Sequence, residues 1–248
     1  MLPLRLEREA HVPPDSVDIP RNRLLAALPP QELEELASQL HPVSLSQRQV
    51  LYETGAPIED VYFIQQGVAS ILTDMADGAS IEVGMIGLEG IVGVAALLGA
   101  TLSSHQAIVQ IPGDALRMNA ARCKAAFDQS AGVRRVALRF TESMLNLSAQ
   151  TAACNRLHSI EQRCARWLLM ASDRIGADVM PMTHEFLSTM LGVRRAGVTV
   201  TAQELQRSGL IRYHRGEVTI RDHDGLAESA CECYRIDHDR FERLCWAP

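Results

Sequence analysis

The residues best suited to chemistry in this chain are arginines. Arg194 and Arg195 stand side by side just after Gly192, and Arg207, Arg212, Arg215 and Arg221 follow closely. An arginine fork meets a phosphate, or the O6/N7 edge of guanine, through two bonds at once, which a lysine cannot do. Residues 181–221 hold these six arginines against Glu185, Glu204 and Glu217, a local charge of +3 in a chain whose overall charge is -6. The acidic total taken alone argues against a nucleic-acid partner, because neutralising phosphate needs basic surface. The distribution reverses that reading, since this segment is positive while the acidic excess lies elsewhere.

Other reactive side chains form no constellation. Histidines and carboxylates are scattered, and no nucleophile motif, phosphate loop or metal signature is present, so an enzyme is not expected. The six cysteines, Cys123, Cys154, Cys164, Cys231, Cys233 and Cys245, have no regular spacing and follow no signal peptide, so reduced cytosolic thiols are expected. In the tail, Cys231, Cys233, His238 and Cys245 are suitable metal ligands by type, but their spacing matches no zinc pattern. On one helix Cys231 and Cys233 would point about 200° apart. They are read as structural, with no metal expected.

The elements that must position the arginines are legible around them. Thr183 is a helix cap, and Phe186, Leu187, Met190 and Leu191 form a helical stripe that Gly192 ends. A second helix runs from about Arg194 to Arg207, buries Val198, Ala202 and Leu205, and stops at Ser208-Gly209. A hairpin then turns at 214–216. Helix, glycine turn, helix and hairpin make a winged helix-turn-helix, in which the first helix braces the second and the second offers its N-terminus to the major groove. Upstream, residues 43–118 alternate short apolar runs with glycines, and Asp77-Gly78 marks a hairpin, as in a β-sandwich or roll. Helical period returns from about Ala120. Val133, Ala137, Phe140, Met144, Leu147, Thr151 and Cys154 step 4, 3, 4, 3, 4, 3, a heptad seam that belongs either to a core helix or to a dimer interface. The longest apolar stretch, 91–98, is too short to span a membrane.

In order and spacing, four blocks resemble the CRP/FNR family of bacterial regulators: Tyr62-Phe63-Ile64-x-x-Gly67, Gly90-Ile91-Val92-Gly93, Leu191-Gly192-Val193-Arg194-Arg195 and Leu205-x-x-x-Gly209-Leu210-Ile211. The resemblance covers about residues 21–225. It implies an α+β chain: a jelly-roll-like β-roll sensor domain of cyclic-nucleotide-binding type over 21–125, a long central dimerisation helix over 126–157 and a C-terminal winged helix-turn-helix over 158–225; outside it, residues 1–20 read as a flexible leader and 226–248 as a C-terminal helical tail. It also favours the dimer reading of the heptad seam, in which Cys154 approaches its symmetry mate and an oxidant cross-links the pair.

Carried over by position, the resemblance makes Arg195 the base-reading arginine, with Arg194, Thr199 and Val200 on the groove side. Ala196 stands where the family commonly has glutamate, which implies a changed half-site. Thr183 and His184 match phosphate contacts, and Arg212 and Arg215 of the wing are further phosphate candidates. In the sensor, Val94 replaces the ribose-holding glutamate and Ser104-His105 replaces the phosphate-holding Arg-Ser pair. No arginine lies between Gly90 and Pro112. A buried cyclic phosphate without a charge partner is costly, so cyclic AMP is not expected. No cysteine precedes Cys123, which argues against an N-terminal iron-sulfur cluster. The expected partners are double-stranded promoter DNA read as an inverted repeat, a second copy of the chain, and RNA polymerase, in the cytoplasm and away from membranes. The rival reading, a ligand- or redox-sensing signalling module without DNA-binding activity, would leave Arg194 and Arg195 without a purpose.

Overall fold

The computed structural model describes residues 21–246, those from 241 onward by their backbone alone. The leader expected over 1–20 and the Cys245 side chain lie outside the described residues. Two short helices come first, α1 (Arg23–Ala26) and α2 (Pro30–Ala37). Asn22 caps α1 by accepting from the Leu24 and Leu25 amides, and its side-chain amide donates to the carbonyls of Ile64 and Gly90. That buried bridge ties the first helix to the sheet that follows.

The roll is built from β1 (His41–Leu45), β2 (Val50–Tyr52), β3 (Asp60–Asp74), β4 (Ser80–Ile86), β5 (Ile91–Val92) and β6 (Gln106–Asn119), all antiparallel. The order is β1-β6-β3-β4, with β2 on β6 and β5 on β3. Asp77-Gly78 turns β3 into β4 as expected. Gly78 has φ +84°, a conformation that costs glycine no strain, and the Asp77 carboxylate accepts the Ala79 amide. Short α3 (Val94–Leu97) follows β5.

Helices α4 (Ala120–Gln129) and α5 (Ala131–Leu157) are separated at Ser130, whose hydroxyl caps α5 by accepting the Val133 amide. Then come α6 (Ile160–Ile175), β7 (Val179–Pro181), α7 (His184–Leu191), α8 (Arg195–Arg207), β8 (Ile211–His214), β9 (Glu217–Ile220), α9 (His223–Ser229) and α10 (Cys233–Trp246). Ser159 and Gln162 form a capping box at the start of α6, and Gly176 ends it with φ +63°. Strand β7 completes a three-stranded sheet of order β7-β9-β8; the sequence reading did not include it. Among the described residues no helix is long and apolar enough to cross a membrane.

Two main apolar cores meet across the roll. One face of its sheet encloses Ile64, Ala69, Val92, Leu97, Val109 and Met118. The opposite face supplies Val68, Leu72, Met85 and Ile111 to the core of the winged segment, where they meet Trp167 and Leu168 of α6 and Leu187 and Met190 of α7. Covering both faces explains why β3 is buried through much of its length instead of alternating. The second face also holds polar atoms. Trp167 Nε1 donates to Glu82 Oε1 at 3.0 Å, and Ser70 Oγ lies 2.5 Å from both Glu82 Oε2 and Gln110 Oε1. Arg174 of α6 pairs with Glu89 at 2.7 Å, both nearly buried.

The heptad seam of α5 is turned inward, which corrects its reading as a dimer interface. Val133, Ala137, Phe140, Leu147 and Cys154 are each 6% exposed or less within one protomer. Val133 and Phe140 belong to the roll core and Leu147 to the winged-segment core, and Met144 touches both. Thr151 accepts from Arg166 at 3.1 Å. Two glycines make this packing possible. A Cβ on Gly90 would meet Phe140 at 2.5 Å, and one on Gly84 would meet Met144 at 2.6 Å. The cross-link expected through Cys154 falls with the seam, because Cys154 Sγ lies buried 3.5 Å from Cys231 Sγ of its own chain.

Candidate nucleic-acid interface

The arginine pair sits at the start of α8 for local reasons. Thr183 caps α7 by accepting the Phe186 amide at 3.1 Å, and Gly192 ends it at φ +60°. Only Val193 then separates that turn from Arg194, the N-cap of α8. Arg194 has extended backbone and no side-chain cap bond, so no side chain covers the N-terminus of α8 beside the two guanidinium groups. Arg194, Arg195 and Ala196 are exposed, and Val200, one turn on, is 52% exposed. Val198, Thr201, Ala202 and Leu205 of the same helix are buried, so α8 is anchored along its opposite side.

Arg195 is tethered loosely, with a 3.8 Å contact between its guanidinium and Glu185, both well exposed. An exposed pair of that kind holds about 1 kcal/mol or less, little enough for a phosphate or a base to displace it. Arg212 and Arg215 are exposed on the wing. Arg215 and Gly216 form its two-residue turn, with φ +48° and +80°, the geometry of a type I′ hairpin.

The His184 side chain is engaged within the protomer. Its Nδ1 lies 3.0 Å from Thr199 Oγ1, its ring packs against Tyr213 at a tilt of 44° with centroids 4.4 Å apart, and its Nε2 is covered. Burial, and then the charge of Arg195, hold it below the usual histidine range. It joins bracing helix, recognition helix and wing. The Thr199 hydroxyl is correspondingly engaged with His184 and the Arg195 carbonyl. Thr183 remains exposed at the N-terminus of α7.

In the roll, Val94 opens α3 and is half-buried, Ser104 is exposed, and His105 Nδ1 meets Thr73 Oγ1 at 3.1 Å. Tyr52 is packed against the Gly93 amide that precedes α3, and burial pushes its phenol up to about 12. What the sequence reading missed is the outward face of α5. Leu138 and Leu145, seven residues apart, are 47% and 68% exposed. Their spacing was visible, but the inner stripe is longer and drew the attention.

A roll of this topology joined through a long helix to a winged helix-turn-helix defines a sensor-and-reader protein of the transcription-regulator class. A family model described as a cyclic nucleotide-binding domain matches residues 42–130, and one described as a Crp-like helix-turn-helix domain matches residues 162–229. Together, in this order, they place the chain in the CRP/FNR family of transcription regulators, with a DNA-binding helix-turn-helix. Solved structures share the fold. FixK2 from Bradyrhizobium japonicum superposes with TM-score 0.67 at 17% identity, covering 77% of this chain and 98% of that one. A CRP/FNR-family transcriptional regulator from Thermus thermophilus, TTHA1359, gives 0.64 at 21% identity with the same coverages. The c-di-GMP-responsive regulator CLP from Xanthomonas campestris gives 0.63 at 16%, again over 77% and 98%. No curated protein matches the chain by sequence.

Proposed function

We propose that the chain works as a cytoplasmic homodimer that binds an inverted repeat in promoter DNA, beside RNA polymerase, without catalysing a reaction and without cyclic AMP. The observation that carries this reading is the exposed pair Arg194 and Arg195 at the uncapped start of α8, flanked by Arg212 and Arg215 of the wing. Arg195, with Arg194 and Val200, addresses base edges, and Thr199 sets the position of the helix through His184. Thr183, Arg212 and Arg215 address phosphates.

The dimer is formed through the outward face of α5. Leu138, Leu145, Ala149 and Ala152 are exposed on this helix, and an apolar strip of this kind at coiled-coil spacing pairs well with its own symmetry mate. Independence from cyclic AMP rests on Val94, Ser104 and His105, which place no arginine where a phosphate would need its charge partner.

The test is binding of promoter fragments across a salt series, with a footprint. A two-fold protected site and a steep fall of affinity with salt are expected. Retention of no duplex at low ionic strength, or a sedimenting monomer at micromolar concentration, would end the proposal. Calorimetric titration with cyclic AMP is expected to give no heat and to leave DNA affinity unchanged.

A further inference from the structure

Four side chains that the DNA-reading surface does not use converge at the joint between α5 and α6. Cys154 lies in the last turn of α5, and His158 is the residue on which α5 ends. Cys231 lies just ahead of α10 and Cys233 is the first residue of that helix. Because Cys231 precedes the helix, the opposed directions expected of Cys231 and Cys233 do not arise. One donor atom from each of the four residues falls within 4.8 Å of all the others. Cys154 Sγ and Cys231 Sγ are 3.5 Å apart, and Cys233 Sγ and His158 Nδ1 are 3.6 Å apart. A tetrahedral shell with bonds of about 2.3 Å to sulfur and about 2.0 Å to nitrogen has donor separations of about 3.5–3.8 Å.

The surroundings distinguish this cluster from three cysteines packed as small apolar groups. His158 turns its second nitrogen, Nε2, to the Glu232 carboxylate at 3.3 Å, the carboxylate support that orients a metal-binding imidazole. Gln150 Nε2 donates to Cys233 Sγ at 3.0 Å, a bond suited to a thiolate. Three thiolates around a divalent ion leave one negative charge, and Arg163 and Arg166 of α6 stand close enough to act on it. The three sulfurs form a buried cluster separate from both main cores.

We propose that Cys154, His158, Cys231 and Cys233 form a closed Cys3His site for one zinc ion, which clamps α10 to the joint between the long helix and the reading domain. Three sulfurs and one imidazole select zinc among the common divalent ions, and four protein ligands leave no position for substrate, so the site is structural. On binding, the thiols release their protons to solvent. The clamp spans from the end of α5, across the whole winged segment, to the residues that follow it. It thereby fixes the angle between α5 and α6, which sets where α8 stands.

The experiment uses the full-length protein purified under reducing conditions without a histidine tag. Elemental analysis is expected to give one zinc per chain. After chelation, cobalt(II) titration is expected to give thiolate-to-cobalt charge transfer and the intense visible bands of tetrahedral cobalt, both abolished by zinc. Cys231→Ser and Cys233→Ser lose the bound ion, and Cys123→Ser keeps it. Glu232→Gln lowers zinc affinity about 10–100-fold. Hydrogen exchange of α10 amides rises on zinc removal, a readout independent of DNA. No zinc together with no cobalt spectrum in reduced protein would overturn the proposal. Iron with sulfide in anaerobic preparations would also overturn it, as would a Cys154–Cys231 disulfide in metal-free native protein.

Discussion

Helix α5 carries two stripes with the same seven-residue repeat, and they end on opposite sides of the surface. The inner one, Val133, Ala137, Phe140, Leu147 and Cys154, is sealed in the protomer, whereas Leu138 and Leu145 of the outer one are 47% and 68% exposed. A heptad reports that a stripe is apolar; it does not report which body covers it. The decision is made elsewhere in the chain, at Gly84 and Gly90, whose missing side chains admit Met144 and Phe140 to the roll. The longer seam therefore joins the helix to the rest of its own protomer, and the shorter one is left exposed.

Breaking the inner stripe has the largest effect. Phe140→Ala is expected to cost about 3–5 kcal/mol of folding stability in urea titrations. Next in size is the acid bordering that stripe. Burial lifts Glu82 to about 7, against the pull of Ser70 and Trp167. The unfolded chain sheds this proton near 4.5 and the folded one near 7, so folding takes up a proton between those values. The stabilising contribution is complete below 4.5 and is lost as pH climbs through about 7, by about 3 kcal/mol at most. In denaturant titrations across that range, Glu82→Gln is expected to remove this slope; an unchanged slope would place the titration on another group.

Breaking the outer stripe should leave folding intact. Leu145→Asp is expected to cost about 2 kcal/mol or more of self-association, seen as monomer in sedimentation with little change in melting. If Phe140→Ala instead dissociated a folded protomer and Leu145→Asp did not, the assignment of the stripes would be reversed. Arg195→Ala sharpens the contrast by sparing both stripes. It should cost about 1–3 kcal/mol of DNA affinity at one base position with the dimer preserved, while Arg215→Ala weakens all sequences alike and lowers the salt slope by about one.

What the sequence revealed well was local. Thr183, Gly192, Ser208-Gly209 and Asp77-Gly78 each fix a cap, stop or turn through neighbours a few residues away, and each stands where it was read. The placement of Arg194 and Arg195 followed from those stops. What escaped was set by distant partners. His184 looked available until Tyr213 and Thr199 were seen to engage it. His158 carries no motif, and Cys154 and Cys231 meet across 77 positions of sequence. No window of spacing contains such a pair; only the path of the chain around the winged segment brings it together.

The tip of the wing carries a local backbone cost. Arg215 holds φ +48°, a left-handed conformation that glycine or asparagine adopts readily and arginine adopts at a penalty of about 1 kcal/mol. A hairpin optimised only to fold would carry asparagine or glycine there and would be the firmer for it. If Arg215 meets a phosphate as proposed, Arg215→Asn should make a sturdier protein that holds DNA less well, as melting and a salt-series binding titration would read.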